Sequence, residues 1–417
     1  MILGRRGVAR GTSDAASCGA VGIRFLDGPP RTADLVVVGG GVLGAATAFA
    51  AARAGLQPLI VERRPALATL TTAVAAGGFR LQLGDERDLA LVSESVDVFM
   101  DFAEATRQRE FDPRVRAAGY LWVTTSEEGA IRQRRIVEAQ RSWGLGDVEL
   151  LDRDEVRRRW PWIGPDVLQA RFRGGDGIFE PRQVALGLAS GSRASAVTST
   201  GVTALDTAGD RVRGVRTEHG DVSCGAVVVA AGPFSASVAR MAGIELPLRC
   251  VTRHKVVVAD EPRVPRDAPM TIDDDTGTHW RPAFGGASIM FTDPATPPTE
   301  AADPVPVDPA FAFRVLDPSS PVGTPRIVPF WRDVWDAGPT WFTQAGQYAL
   351  TPDGQPLIGP TPVEGLFLNS ACDGRGVMRS VAAGRILVDV LTGRTEPREN
   401  PYRIDRDYVE RPQMDAL

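Results

Sequence analysis

The chain has 417 residues, 43% of them hydrophobic and 24% charged, with a formal net charge of −5 at pH 7. This length exceeds one simple core and suits two intertwined domains, and the even composition excludes a fibrous or low-complexity protein. The small acidic surplus gives no electrostatic case for nucleic acid or an anionic membrane as partner, and no apolar run approaches the roughly 20 residues a spanning helix needs.

Four cysteines, Cys18, Cys224, Cys250 and Cys372, lie far apart without metal-like spacing. Free thiols, no metal and a cytoplasmic location are the expectation. Lys255 is the only lysine, so chemistry that needs an amine from the chain has one place to find it.

Residues 1–31 read as a loose leader, because Arg5-Arg6 is followed by no continuous apolar stretch and so lacks the pattern of an export signal. The run from Leu35 to Val38 then reads as a buried strand entering a turn with glycines at Gly39, Gly41 and Gly44. Small residues follow (Ala45, Ala46, Ala48), then a second strand from Pro58 to Val61 that ends in Glu62. Strand, GxGxxG, small-residue helix, strand and acid in that order form a dinucleotide-binding unit. The helix N-terminus at Gly41 and Val42 holds phosphates, and Glu62 bonds a ribose. An acid there disfavours a 2′-phosphate, and Arg63 and Arg64 are expected to face solvent or pyrophosphate. This unit alone does not separate NAD from FAD.

Residues 71–84 read as a crossing loop, with a helix beginning at Asp85 or Glu86. Residues 120–123 read as a strand, 127–140 as a charged helix, and 153–159 as a solvated helix face. Hairpin strands are expected over 211–228, with His219 in their turn. Strand-like runs then predominate from 246 to 339, at 250–259, 288–291 and 326–331, interrupted by a proline-rich connection at 294–309. Trp331, Trp335, Trp341 and Phe342 either line a pocket or fill the sheet–helix interface. Near the C-terminus, residues 366–370 read as a strand entering a second glycine turn. There Gly374, Arg375, Gly376 and Val377 aim N–H groups at one point, a second site for negative charge.

Residues 351–360, TPDGQPLIGP, resemble the TPDGxPxIGP signature of flavin amine oxidoreductases, and 371–378 resemble the family's GxxGHGxM turn. Residues 76–80 (AGGFR), Asp176-Gly177 with Pro181, 229–233 (VAAGP) and Arg281-Pro282 match in the same order. From about residue 33 to 395 the chain thus resembles the FAD-dependent D-amino acid oxidase and sarcosine oxidase-like family.

The resemblance implies an α/β fold of glutathione reductase/p-hydroxybenzoate hydroxylase type. A Rossmann-like FAD-binding domain is expected over 32–115, 175–245 and 340–400, a discontinuous antiparallel-sheet substrate domain over 116–174 and 246–339, and a tail over 401–417. It implies oxidation of the C–N bond of a small amine or amino acid, by hydride transfer to flavin N5, with oxygen or an electron carrier as the second partner. Arg80 is then the candidate for the substrate carboxylate, Tyr348 and His279 for substrate positioning or proton transfer, and Arg375 for a charge beside the flavin. Val202, Ala231, Gly232 and Met378 join the two glycine turns as cofactor contacts.

Two family lysines, one that activates oxygen and one that binds carboxylate, correspond to Met290 and Met378. The family's cysteine attachment point corresponds to Gly346, and no histidine lies between Glu62 and Arg80, so FAD is expected to be non-covalent. The alternatives are an amine dehydrogenase or a subunit of a larger amine-oxidising complex, a flavin- or NAD-binding protein without amine chemistry, and an NADPH-dependent flavin monooxygenase.

Overall fold

A computed structural model of the chain describes residues 22–409; Cys18, most of the expected leader and the last residues of the expected tail lie outside it. Two sheets organise the molecule. In the first, Thr32–Val38 lies at the centre, parallel to Pro58–Val61 on one side and to Gly220–Val229 on the other. Leu366–Ser370 also runs parallel to Gly220–Val229, so the strand before each glycine turn belongs to the same sheet. Leu35, Val36 and Val37 are covered on both faces, as expected of parallel strands rich in β-branched residues.

Arg24–Phe25 pairs with Ser195–Val197 at the edge of this sheet. The end of the expected leader is therefore part of the fold. Its partner is 171 residues away in sequence, which no local pattern reveals.

Three helices pack behind the sheet: α1 (Val42–Arg53), α2 (Pro181–Ser192) and α3 (Gly376–Leu391). Alanines keep α1 thin enough to be buried between the others, and a buried hydrogen bond of 2.9 Å from Asn369 to Thr47 ties the last strand to it. A Cβ added at Gly44 would stand 1.9 Å from the Gly39 carbonyl oxygen. The third glycine is thus what lets α1 start directly against its strand.

The second sheet has eight strands in the order Trp341–Leu350, Arg249–Val258, Gly286–Phe291, Thr278–Ala283, Met270–Asp273, Tyr120–Thr124, Gln169–Arg173 and Glu149–Asp152. All pairs are antiparallel except Met270–Asp273 with Tyr120–Thr124. Trp341–Leu350 is an edge strand of this sheet, although the FAD-binding stretch was expected to resume at residue 340.

One face of the second sheet, carrying Leu121, Val123, Val256, Trp280 and Ile289, packs against Val315, Trp331 and Val334. The opposite face carries a row of directly paired residues: Gln344, Lys255, Met290, His279, Ile272, Trp122 and Arg171. Opposed residues in register project to the same side. This side faces the first sheet's glycine turns.

The strand expected at 326–331 is instead a 3-10 turn, Thr324–Arg326, followed by a helix, Phe330–Asp336. Pro325 and Pro329 sit where their fixed φ starts each turn, and a short buried apolar run such as Ile327-Val328 has no periodicity to distinguish the two states. Trp331 packs edge-on to Trp280 at 5.8 Å and Trp335 stacks with Trp341 at 6.3 Å, so these side chains fill the sheet–helix interface; Phe342 is exposed.

Substituting Gly44→Ala is expected to force the first turn apart, lowering stability by about 2–3 kcal/mol, the usual cost of overpacking a rigid contact. Thermal unfolding and the flavin content of the purified variant check this together.

Candidate active site

The N-termini of α1 and α3 open on one cavity. In neither helix does the residue at the N-cap bond a backbone N–H through its side chain, and neither has an acid in its first turn. Both therefore leave backbone N–H donors and a positive dipole end for a bound anion. The cavity, of about 370 Å³, is lined by Gly39, Gly41, Val42, Glu62, Arg63, Val202, Ala231 and Gly232, and, from the other turn, by Gly374, Gly376 and Val377. Gly44 is behind the wall, where it sets the approach of the helix.

Glu62 is held firmly: it accepts from the Gly40 N–H at 2.7 Å and from the Arg64 N–H at 2.8 Å. Its remaining lone pairs are available to ribose hydroxyls. Arg63 and Arg64, expected to face solvent or pyrophosphate, are part-exposed and line this cavity. Both pair with Asp303 of the proline-rich connection, and Arg63 stacks over Phe234 at 3.7 Å. They form the rim of the cavity and fasten the two sheets' segments together. Thr72, which the sequence did not single out, receives the Val42 N–H at 3.2 Å.

A second cavity, of about 1450 Å³, adjoins the first along a seam of Ala75, Tyr348, Asp373, Gly374 and Val377. Arg80, His279, Arg375 and Met378 line this second space, so the candidate residues fall into two groups, one on each side of the seam; Arg375 and Met378, expected as cofactor contacts, are on the second. Tyr348 is half-buried at the seam with its ring against Gly374, where an added Cβ would come within 2.5 Å of it; desolvation pushes its hydroxyl above the ordinary phenol range.

Arg80 is buried. One guanidinium nitrogen donates to the Gln82 carbonyl at 2.7 Å, and the group lies 5.1 Å from the Trp122 ring centroid. These contacts fix its orientation. His279 is also buried, with Nδ1 2.9 Å from the Gly277 carbonyl oxygen. Nδ1 is therefore the protonated nitrogen and Nε2 the acceptor. Burial, with Arg80 nearby, lowers its pKa to about 4, so the ring is neutral at physiological pH.

Arg375 carries less net charge into the site than a bare guanidinium, because Asp373 lies 3.4 Å and Asp88 3.8 Å away. Asp88 is shared with the fully buried Arg379. Lys255 stands directly opposite Met290 in the adjacent strand. Its ammonium group donates to the Ala75 carbonyl at 3.4 Å, and burial lowers its pKa to about 8.

FAD fits these residues. Two helix N-termini with no acid in their first turn open on the first cavity, Glu62 lines it, and Arg80 and His279 line the adjoining one. Gly346, which stands where the family's attachment cysteine would be, has no nucleophile, and the thiol of Cys372 within the cavity is pushed up to about 12 by burial. That thiol is inert at neutral pH. Among the described residues there is no group of three metal-ligating side chains, and no helix is long and apolar enough to cross a membrane.

A family model described as FAD dependent oxidoreductase, DAO, matches residues 34–390. The chain belongs to that family. It is 28% identical over 409 residues to FAD-dependent oxidoreductase domain-containing protein 1 of Xenopus laevis, covering 88% of this chain and 80% of that one. It is 27% identical over 433 residues to a D-amino acid dehydrogenase of Cereibacter sphaeroides, covering 88% and 93% respectively. Among solved structures, glycine oxidase from Bacillus cereus superposes with a TM-score of 0.76 at 21% identity, over 91% of this chain and all of that one; this likeness is one of fold. The family assignment makes this chain an FAD-dependent oxidoreductase.

The buried neutral histidine has a consequence for stability. Its folded pKa of about 4 lies below the ordinary 6.5, so its contribution is fully present above pH 6.5 and is lost as pH falls toward 4. The loss is on the order of 3 kcal/mol. His279→Gln is expected to flatten this part of the stability curve, which denaturant unfolding at a series of pH values measures.

Proposed function

We propose that the protein oxidises the C–N bond of a small amino acid or related amine. The observation that carries this reading is the pairing of Arg80 with His279 on the substrate side of the seam: a fixed guanidinium for a carboxylate beside a neutral acceptor for an amine. The relatives named as D-amino acid dehydrogenase and glycine oxidase support an amino acid as substrate.

Bound FAD supplies the hydride acceptor. The chain supplies orientation and electrostatics. Arg80 binds the substrate carboxylate through a charge-assisted pair, which fixes the position of the adjacent carbon. His279, neutral with its proton on Nδ1, accepts a hydrogen bond at Nε2 from the substrate N–H. A neutral amine carries the lone pair that a C–N double bond requires. The N–H groups at the start of α3 line the cavity and would stabilise negative charge on a flavin held there. Tyr348, packed on Gly374, closes the seam against water.

Electrons leave to oxygen or to an electron carrier, and the protein works in the cytoplasm. Apolar Met290 favours a carrier, while Lys255 opposite it is the cation available to oxygen chemistry. The two differ in one observable: a carrier-linked dehydrogenase is reduced rapidly by substrate under anaerobic conditions and reoxidises slowly in air.

The Arg80→Ala variant should keep its flavin and show a Michaelis constant for carboxylated amines raised by about 100-fold, equivalent to losing one charge-assisted pair. Anaerobic bleaching of the flavin, followed against a panel of D- and L-amino acids and N-methyl amino acids, supplies the measurement. An unchanged constant removes Arg80 from substrate binding, and a flavin that no amine bleaches removes the amine reading.

A further inference from the structure

The strand Arg249–Val258 alternates sides, and Arg253 lies two residues from Lys255 on the face turned toward the substrate cavity. Its guanidinium is held by neutral groups alone: one nitrogen donates to the Asp293 carbonyl at 2.7 Å and also to the Thr296 hydroxyl. The Asp293 carboxylate is turned to Arg314 instead, at 2.9 Å. Arg253 Nε is buried and has no hydrogen-bond acceptor among the described residues.

The acids around it are already engaged. Asp373 pairs with Arg375, Asp88 with Arg379, Asp353 with Arg406, and Asp85 with Arg87. Arg249, which lines the same cavity, forms no ion pair among the described residues and adds to the uncompensated positive charge. A half-buried cation without a carboxylate is costly unless an anion completes it. Burial accordingly pulls the guanidinium below its ordinary range.

The cavity itself, at about 1450 Å³, exceeds the roughly 300–1,000 Å³ of common small-molecule pockets. It has room for more than the reacting end of a substrate. Arg253 belongs to this cavity and not to the flavin cavity, so its missing partner lies on the substrate side.

Resting on the reading of Arg80 as the clamp for the first carboxylate, we propose that Arg253 is a specificity-determining residue that binds a second carboxylate of the substrate. The substrate class is then an amino acid with an acidic side chain or an acidic substituent on its nitrogen. Arg249, at the more exposed end of the strand, attracts such substrates without fixing them.

Anaerobic flavin reduction by alanine, aspartate and glutamate, in both enantiomers, and by sarcosine and iminodiacetate tests this. In the native protein the dicarboxylates should exceed their monocarboxylate counterparts in kcat/KM by about tenfold or more, the contribution of one charge-assisted contact. In Arg253→Gln that ratio should fall toward one through a raised KM, and Arg253→Lys should restore part of it. A ratio unchanged in Arg253→Gln, or a native preference for monocarboxylates, overturns the proposal. Should the glutamine variant lose its flavin, perturbation of the native flavin spectrum by glutarate and butyrate takes its place. Tighter binding of glutarate supports the proposal, and equal binding overturns it. Failure of every amine to bleach the flavin would instead sink the amine reading, and the glutarate comparison would still decide the role of Arg253.

Discussion

Close packing at the start of α1 is the constraint from which the rest follows. The Gly39 carbonyl and Gly44 leave no room for a side chain between strand and helix, so α1 begins at the carboxyl end of its strand with its first N–H groups pointing outward. Because Leu366–Ser370 runs parallel in the same sheet, α3 begins at the same edge. Two positive helix ends then meet one cavity without any acid of their own to neutralise them. A flavin dinucleotide, with phosphates toward one end and an electron-rich ring at the other, matches that distribution of charge.

The second sheet contributes residues that line the other side of the seam, and strand register decides which of them arrive there. A slip of one residue would exchange His279 for Trp280 and Lys255 for Val256, sending the polar residues into the core against Trp331. The apolar alternate positions prevent this, because Trp280, Val256 and Ile289 are fully buried against the covering helices. The substrate face is thus specified by what packs on its reverse. The polar residues of the second cavity are held before any ligand binds, His279 of this sheet by the Gly277 carbonyl, and Arg80, which follows the separate short strand Gly78–Phe79, by the Gln82 carbonyl and Trp122. Such preorganisation is what a site needs when the cofactor performs the reaction and the protein supplies position.

Features encoded by local pattern were legible in the sequence. The first glycine turn and its acid are one such case, since each part lies within about thirty residues of the next. The second glycine turn was legible for the same reason, and all its predicted contacts line one or other cavity. Features that depend on distant partners were not. Arg24–Phe25 is a strand only because Ser195–Val197 lies beside it. Arg63 and Arg64 look like free cations until Asp303 arrives from the proline-rich connection. Arg253 carries no motif; its alternation with Lys255 was visible, but the lack of a carboxylate partner emerges only when Asp293 is seen turning to Arg314. Residues 326–331 look like strand in the sequence because the short buried apolar pair Ile327-Val328 has no period, although a 3-10 turn and the helix Phe330–Asp336 meet there.

The central claim is that the two helix N-termini hold a single flavin between them. A crystal structure of the oxidised flavoprotein tests it most directly. The account predicts the pyrophosphate against Gly41 and Val42, ribose hydroxyls on Glu62, and the ring at the seam with one edge against the N–H groups of Gly376 and Val377. Density that places the ring away from α3, or a ligand that reaches only one of the two turns, would contradict it.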